Sequence, residues 1–192
     1  MITFSIVTPT IQRESLFQCC QSVDRQTYKH WQHIVRMDRD ILKIEVVKTI
    51  AHEQRLITHC DVEHRNFGNT CRHQAWKQAI GDFVLYLDDD NYFSDERILE
   101  DMACELESLD SEIRWALFPI FRHGQHFFYD PPGCCYVDTA NMVMRRDVAQ
   151  WPDRNEYTLD GIFCEELRSK YQYRAFPHFR PIVVMSASNR GE

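Results

Sequence analysis

Residues 88 to 90 are three consecutive aspartates, and they close the apolar run of FVLYLDDDNYF (83–93). Neighbouring carboxylates repel one another and raise each other's pKa unless something positive sits among them. Hard oxygen donors of this kind suit Mg, Mn or Ca rather than zinc or copper. Mg in particular is often shared between one or two carboxylates and substrate phosphates. Asp88 and Asp90 are therefore candidate ligands of a divalent cation, Mn2+ or Mg2+, directly or through water. Strand alternation would turn the Asp89 side chain the other way. A solvated turn is the competing reading of the same three residues, since Asp is an ordinary turn residue. A second group is Arg65-Asn66-Phe67-Gly68-Asn69, with Arg72 one helical turn beyond Gly68. A glycine admits close backbone approach, a helix N-terminus offers free N–H groups to anions, and Arg72 presents a forked donor to a phosphate or base edge. A helix cap with exposed arginines accounts for these residues about as well.

Both groups need elements to hold them. Phe4–Thr8 is an apolar run closed by Pro9 and predicts a buried strand. Leu16, Phe17, Cys20 and Val23 recur at helical spacing, Trp31–Met37 reads as a second strand, and a third falls within Leu56–Cys60. Gly68–Ile80 predicts a helix stopped by Gly81, and FVLYL follows at once. Glu96–Leu109 predicts another amphipathic helix. This alternation implies an α/β fold with a mostly parallel sheet and helices on both faces. Ligands of such sheets bind beyond the carboxyl ends of the strands. Three polar clusters stand there: Thr8-Pro9-Thr10, Asp38, and the aspartate triplet. The second half is less regular. Arg114–Phe121 and Tyr136–Met144 predict strands, HGQHFFYDPPG a loop, and Leu159–Tyr171 a helix. Trp31, Trp76 and Trp115 fall at apolar positions and read as core.

Composition sets the limits. The 192 residues, 44% hydrophobic and 27% charged, fit one globular domain over 1–192. A net charge of -7 gives no basic footprint for nucleic acid. No apolar run reaches the length of a membrane span, and MITFSIVTPT runs straight into a strand pattern, so no signal peptide is expected. The eight cysteines (Cys19, Cys20, Cys60, Cys71, Cys104, Cys134, Cys135 and Cys164) form no CxxC pair, and nothing in their spacing suggests zinc. They read as reduced, mostly buried thiols of a cytoplasmic protein.

Taken in order, SIVTPT, then R-x-x-L-x-x-C-x-x-S-V-x-x-Q-T-Y-x-x-W-x-x-I-V-x-x-D (13–38), N-x-G-N-x-x-R-x-x-A (66–75) and GDFVLYLDDD (81–90) resemble family 2 glycosyltransferases of the GT-A fold. YVDTANMVMRRDV (136–148) is similar to the segment leading into the acceptor side of that family. The resemblance implies a single GT-A domain, Rossmann-like, with a nucleotide-binding half over about 1–92 and a smaller acceptor-side half over about 93–192. It implies transfer of a sugar from a nucleotide-sugar donor, a UDP-sugar first, to an acceptor hydroxyl on a saccharide, lipid-linked or protein acceptor. It places Pro9, Thr10 and Arg13 along the nucleotide, and Asp38 on the base. Asn66, Gly68 and Arg72 come from its N-x-G-x-x-x-R pattern, near base and ribose. Asp88, with Asp89 beside it, approaches the ribose or outer metal shell, and Asp90 ligates the cation. The stretch RMDRD departs from the paired acids usual around Asp38, which leaves the donor base open.

Sugar transfer to a hydroxyl needs a carboxylate to take its proton. In the family that base opens a late helix. In LDGIFCEELRSKY the first candidate is Asp160, placed like an N-cap, followed by Glu165 and Glu166. A late histidine ligates the metal in some GT-A enzymes, which makes His178 a further ligand candidate. His123 and His126 in HGQH read as solvated loop residues, and Phe127-Phe128-Tyr129 either stacks on an acceptor sugar or packs the loop. Attachment to the inner membrane face is compatible with this reading. Two rivals remain at this stage. A nucleotidyltransferase would carry a glycine-rich loop after the first strand, and SIVTPTIQRES has no glycine. A non-catalytic nucleotide-sugar-binding relative would lack the late base.

Overall fold

The computed structural model describes residues 1–39, 43–134 and 136–185. Its order is β1 (Phe4–Thr10), α1 (Ser15–Asp24), β2 (Trp31–Met37), α2 (Ile44–Ile50), β3 (Arg55–His59), α3 (Asn69–Trp76), β4 (Phe83–Tyr86), β5 (Asn91–Phe93) and α4 (Ile98–Glu107). There follow β6 (Ile113–Leu117), β7 (Ile120–Arg122), β8 (Gln125–Phe127), β9 (Met142–Arg145), α5 (Leu159–Lys170), β10 (Gln172–Ala175) and β11 (Val183–Met185). The main sheet has seven strands in the order β10-β6-β9-β4-β1-β2-β3. All its pairings are parallel except those of β9, which is antiparallel to β4 and β6. The GT-A expectation of a mostly parallel α/β sheet therefore holds.

Strand alternation sorts the core into two layers, as a sheet covered on both faces requires. Phe4, Ile6, Phe83 and Leu85 face α1 and α4, meeting Cys19, Val23, Leu99 and Met102. Val7, Val84 and Tyr86 face the other way, with Ala75 of α3 and Phe163 and Leu167 of α5. Each Val, Leu, Ile, Phe or Met side chain among them, fully buried, contributes roughly 1.5–3 kcal/mol relative to exposure. All seven residues of β1 are buried, so its carboxyl end is a rigid base for whatever binds there.

Several local expectations need correction. Gly81 does not stop α3, which ends at Trp76. A Cβ on Gly81 would lie 2.6 Å from the backbone of Phe4, so the glycine serves a close approach to β1 instead. Arg114–Phe121 is two strands in different sheets, parted at Phe118-Pro119, where proline has no N–H for a ladder. The stretch expected as a loop contains β8, which turns back on β7 through His123 and Gly124, both at positive φ. The strand within 136–144 begins only at Met142. Before it, a 3-10 turn at Thr139–Asn141 is capped reciprocally by Asp138 and Asn141.

The elements α2, β5, β10 and β11 are additions, and β5-β11-β7-β8 forms a second, four-stranded sheet. Trp76 is only half-buried, with its Nε1 donating to the Arg146 carbonyl at 3.1 Å. Among the described residues, Cys19, Cys20, Cys60, Cys71, Cys104 and Cys164 are free thiols. Cys19, Cys20, Cys60, Cys71 and Cys164 are buried, Cys134 is half-buried and Cys104 is exposed, while Cys135 lies outside the described residues. No helix among the described residues is long and apolar enough to cross a membrane.

Candidate active site

The aspartate triplet is a turn and a cleft wall at once. The Leu87 N–H extends the β1–β4 ladder to the Val7 carbonyl at 2.9 Å, and the Asn91 N–H then closes a turn onto the Asp88 carbonyl at 3.0 Å. This turn breaks the strand alternation, so Asp89 lines the cleft together with Asp88 and Asp90 rather than opposing them. Asp89 is 4% exposed. It accepts from Thr10 Oγ1 at 2.6 Å and from Arg13 Nη1 at 3.1 Å, and the same Arg13 nitrogen reaches Asp90 at 3.4 Å.

Arg13, with Arg72 on Asp88, supplies two positive charges to three carboxylates and does not neutralise them. Burial pushes Asp89 up to about 6, against the pull of Thr10 and Arg13 and with the repulsion of Asp90 and Asp88 added. Asp90 is also raised, by burial and by the Asp88 charge. Carboxylates held in this state gain from a hard cation, which supplies the missing positive charge through oxygen ligands.

The opposite wall comes from the loop before α3. Gly68 adopts φ 78°, and a Cβ there would lie 2.8 Å from Pro9 Cβ, so only glycine lets this loop rest against the end of β1. Arg72 is 5% exposed. Its Nη1 donates to the Phe67 carbonyl at 2.8 Å, its Nη2 bonds Asp88 Oδ1, and its guanidinium lies 5.0 Å from the Trp151 ring centroid. Burial would lower the Arg72 pKa, but the charge and hydrogen bond of Asp88 outweigh it and raise it. Asp38, 2% exposed, accepts from the His64 N–H at 2.8 Å and the Arg65 N–H at 2.9 Å. That pair of bonds folds the 60–65 loop over the end of β2.

Between these walls lies a cleft of about 320 Å³, within the size range of small-molecule sites. Pro9, Thr10, Arg13, Asp38, Gly68, Arg72, Asp88, Asp89 and Asp90 all line it, together with Ile11 and Phe67. Asn66 does not. Its amide bonds Thr70, donating to the hydroxyl at 2.7 Å and accepting from the N–H at 3.4 Å, which makes it a brace for the start of α3.

The late acids separate by surroundings. Asp160 stands in the first turn of α5 rather than at the N-cap, which is Thr158. It accepts from the Gly161 N–H at 2.8 Å, burial raises its pKa, and it lies in the field of Arg72 and Asp88. Glu165 instead accepts from the Cys134 N–H at 3.1 Å, and Glu166 pairs with Arg154 at 3.1 Å. His178 is exposed between β10 and β11 and does not line the cleft.

Two residues carry roles that the sequence reading did not give them. Asp138 is pushed up to about 6 by desolvation, then by Asp88, with Asp160 adding to it, so it belongs to the same acidic field. Only its place in YVDTANMVM marked it, and that run reads as a strand. Asn69 is 2% exposed and uses its whole amide: it donates to the Arg154 and Glu156 carbonyls at 3.1 and 3.0 Å and accepts from Trp151 Nε1 at 3.2 Å. It fastens the strap leading to Asp160 onto the first turn of α3.

A parallel sheet whose strand ends present this acidic, arginine-clasped cleft is a GT-A arrangement. The sequence profile described as "Glycosyl transferase family 2" matches residues 5–116, more than half of the chain, and the chain belongs to that family. A search of curated proteins by sequence gives no match. Among solved structures, S. aureus TarS 1-349 in complex with UDP-GlcNAc superposes with a TM-score of 0.77 at 17% identity, covering 100% of this chain and 60% of that one. The UDP complex of TarS 1-349 gives 0.76 at 18% identity, over 97% and 61%. The mannosyltransferase PcManGT from Pyrobaculum calidifontis, in complex with GDP-Man and Mn2+, gives 0.73 at 13% identity, over 99% and 58%. At such identities these likenesses establish the fold, and the chain spans about 60% of the TarS 1-349 length.

Proposed function

We propose that the chain transfers a glycosyl group from a nucleotide-sugar donor, a UDP-sugar first, to an acceptor hydroxyl, with a divalent cation and inversion at the anomeric carbon. The observation that carries this reading is the convergence of Asp88, Asp89 and Asp90 with Arg13 and Arg72 around one cleft at the carboxyl ends of β1 and β4. The raised pKa values of Asp89 and Asp90 and the all-oxygen donor set fit Mn2+ or Mg2+. Asp90 and Asp88 would hold the ion, with Asp89 fixed behind them by Thr10. When bound, the cation would offset the charge that builds on a leaving nucleoside diphosphate.

The chain's own groups do the rest. Asp38, Pro9 and Gly68 shape the base end, where the nucleotide portion of the donor would lie. Arg72 holds Asp88 in place and adds fixed positive charge beside the diphosphate position. Asp160 takes the proton of the attacking hydroxyl. Its raised pKa brings it closer to the range in which a carboxylate serves as a general base near neutral pH. The complexes of the fold relatives with UDP, UDP-GlcNAc and GDP-Man support a nucleotide-sugar donor. A thermal-shift screen of nucleotide sugars with and without Mn2+ tests the donor assignment. A UDP-sugar should give the largest shift, and only with the ion. Equal shifts from every nucleotide, or none, would count against it.

A further inference from the structure

Cys60, at the end of β3, and Cys71, in the first turn of α3, bring their sulfurs within 3.5 Å of each other. That gap is far beyond a disulfide bond of about 2.0 Å. It is close to the ~3.8 Å that separates two sulfurs each about 2.3 Å from one tetrahedral zinc. The same Cys60 sulfur lies in a second cluster, in which one ligand atom each of Asp38, Cys60 and His64 lie within 4.8 Å of one another. The 60–65 loop is held in this shape by the Asp38 carboxylate, which accepts the His64 and Arg65 N–H groups and so brings the His64 side chain over Cys60. Each carboxylate oxygen retains a further lone pair.

We propose that Asp38, Cys60 and His64, with Cys71 as the fourth donor, form a binding site for a borderline-soft divalent cation, zinc by preference. Thiolate and imidazole donors select zinc, while the all-oxygen aspartate triplet selects Mg or Mn, so the chain carries two cation sites of different chemistry. Charge balance agrees. Two thiolates and a carboxylate around a dication leave one net negative charge. Arg36 stands beside Cys60 and bonds Gln74 through its Nη2, while its Nε is buried without a hydrogen-bond partner. The ion would tie the ends of β2 and β3 to the first turn of α3, which is the base-end wall of the cleft. Sequence spacing hides the set, because Asp38 precedes the C-x3-H-x6-C stretch by a whole helix and strand.

Zinc is titrated into the full chain by calorimetry in excess Mg2+, and Co2+ is used as a spectroscopic probe. The expected result is one zinc per chain with submicromolar affinity and a thiolate-to-cobalt charge-transfer band. Both should be lost, or weakened at least a hundredfold, in Cys60→Ser and in His64→Gln, a change at a half-buried loop position that the core does not depend on. Asp88→Asn/Asp90→Asn should bind zinc as the unaltered chain does. Absence of stoichiometric zinc, unchanged binding in Cys60→Ser and His64→Gln, or its loss in the double aspartate variant would overturn the proposal. These readouts are independent of glycosyl transfer, so failure here and failure of the donor assignment are distinguishable.

Discussion

Thr10 Oγ1 donates to Asp89 Oδ2 at 2.6 Å, joining the end of β1 to the aspartate turn after β4. This bond fixes the middle carboxylate in place while leaving Asp88 and Asp90 turned to the cleft. It also opposes the burial that lifts Asp89 to about 6.

That opposition gives a pH prediction with a definite sign. A carboxyl whose pKa is raised on folding binds its proton more tightly in the folded chain, so its ionisation costs stability as pH rises from about 4 to 6. A cation needs the ionised form and reverses this. The thermal shift produced by Mn2+ should therefore be full at neutral pH and fade in acid, with a midpoint set jointly by the proposed ligand Asp90, raised by burial and the Asp88 charge, and its neighbour Asp89, lifted to about 6. Thr10→Val should move that midpoint to higher pH and cost about 1 kcal/mol of stability through the lost hydrogen bond. Thermal melts across pH, with and without Mn2+, check both.

Arg72→Lys should behave as a non-conservative change. Lysine cannot bond Asp88 and the Phe67 carbonyl in one fork while lying over Trp151. Because Asp88 is partly exposed and so partly screened, the expected loss is about 2 kcal/mol, below that of a fully buried pair. Urea denaturation measures it, and UDP affinity should fall in parallel.

Gly68→Ala should damage the cleft from its other wall. The added methyl would lie 2.8 Å from Pro9 Cβ at a backbone φ of 78°, so the loop must shift. A stability loss of roughly 1–3 kcal/mol is expected, with UDP binding weakened at least tenfold; a variant of unchanged stability and affinity would count against the described wall.

The strand ends were legible because sequence pattern and chemistry coincide there. FSIVT, WQHIVRM and FVLYL are short apolar runs, and each delivers polar residues to the same edge. The triplet's geometry was not legible, since the turn that brings Asp89 inward depends on β5, a three-residue strand with no periodicity to read. Asn66 was misplaced because N-x-G reads as ligand contact, whereas its amide is spent on Thr70. Asp138 and Asn69 stayed hidden because their roles depend on segments distant in the chain: Asp88 for one, and Trp151 to Glu156 for the other.

Asp160→Asn should abolish transfer while leaving donor binding within twofold. Glu165→Gln should keep most activity, because Glu165 anchors the Cys134 backbone instead of joining the field of Arg72 and Asp88. Single-turnover assays with the donor chosen by the screen separate the two, and full activity in Asp160→Asn would move the role to another acid.

The central claim is that the aspartate turn holds a cation which in turn holds the nucleotide diphosphate. Calorimetric titration of UDP in Mn2+ and in EDTA tests it most directly. The account predicts binding that weakens at least tenfold in EDTA, and the same weakening in Asp90→Asn with Mn2+ present. Equally tight UDP binding in EDTA and in Mn2+ would contradict it.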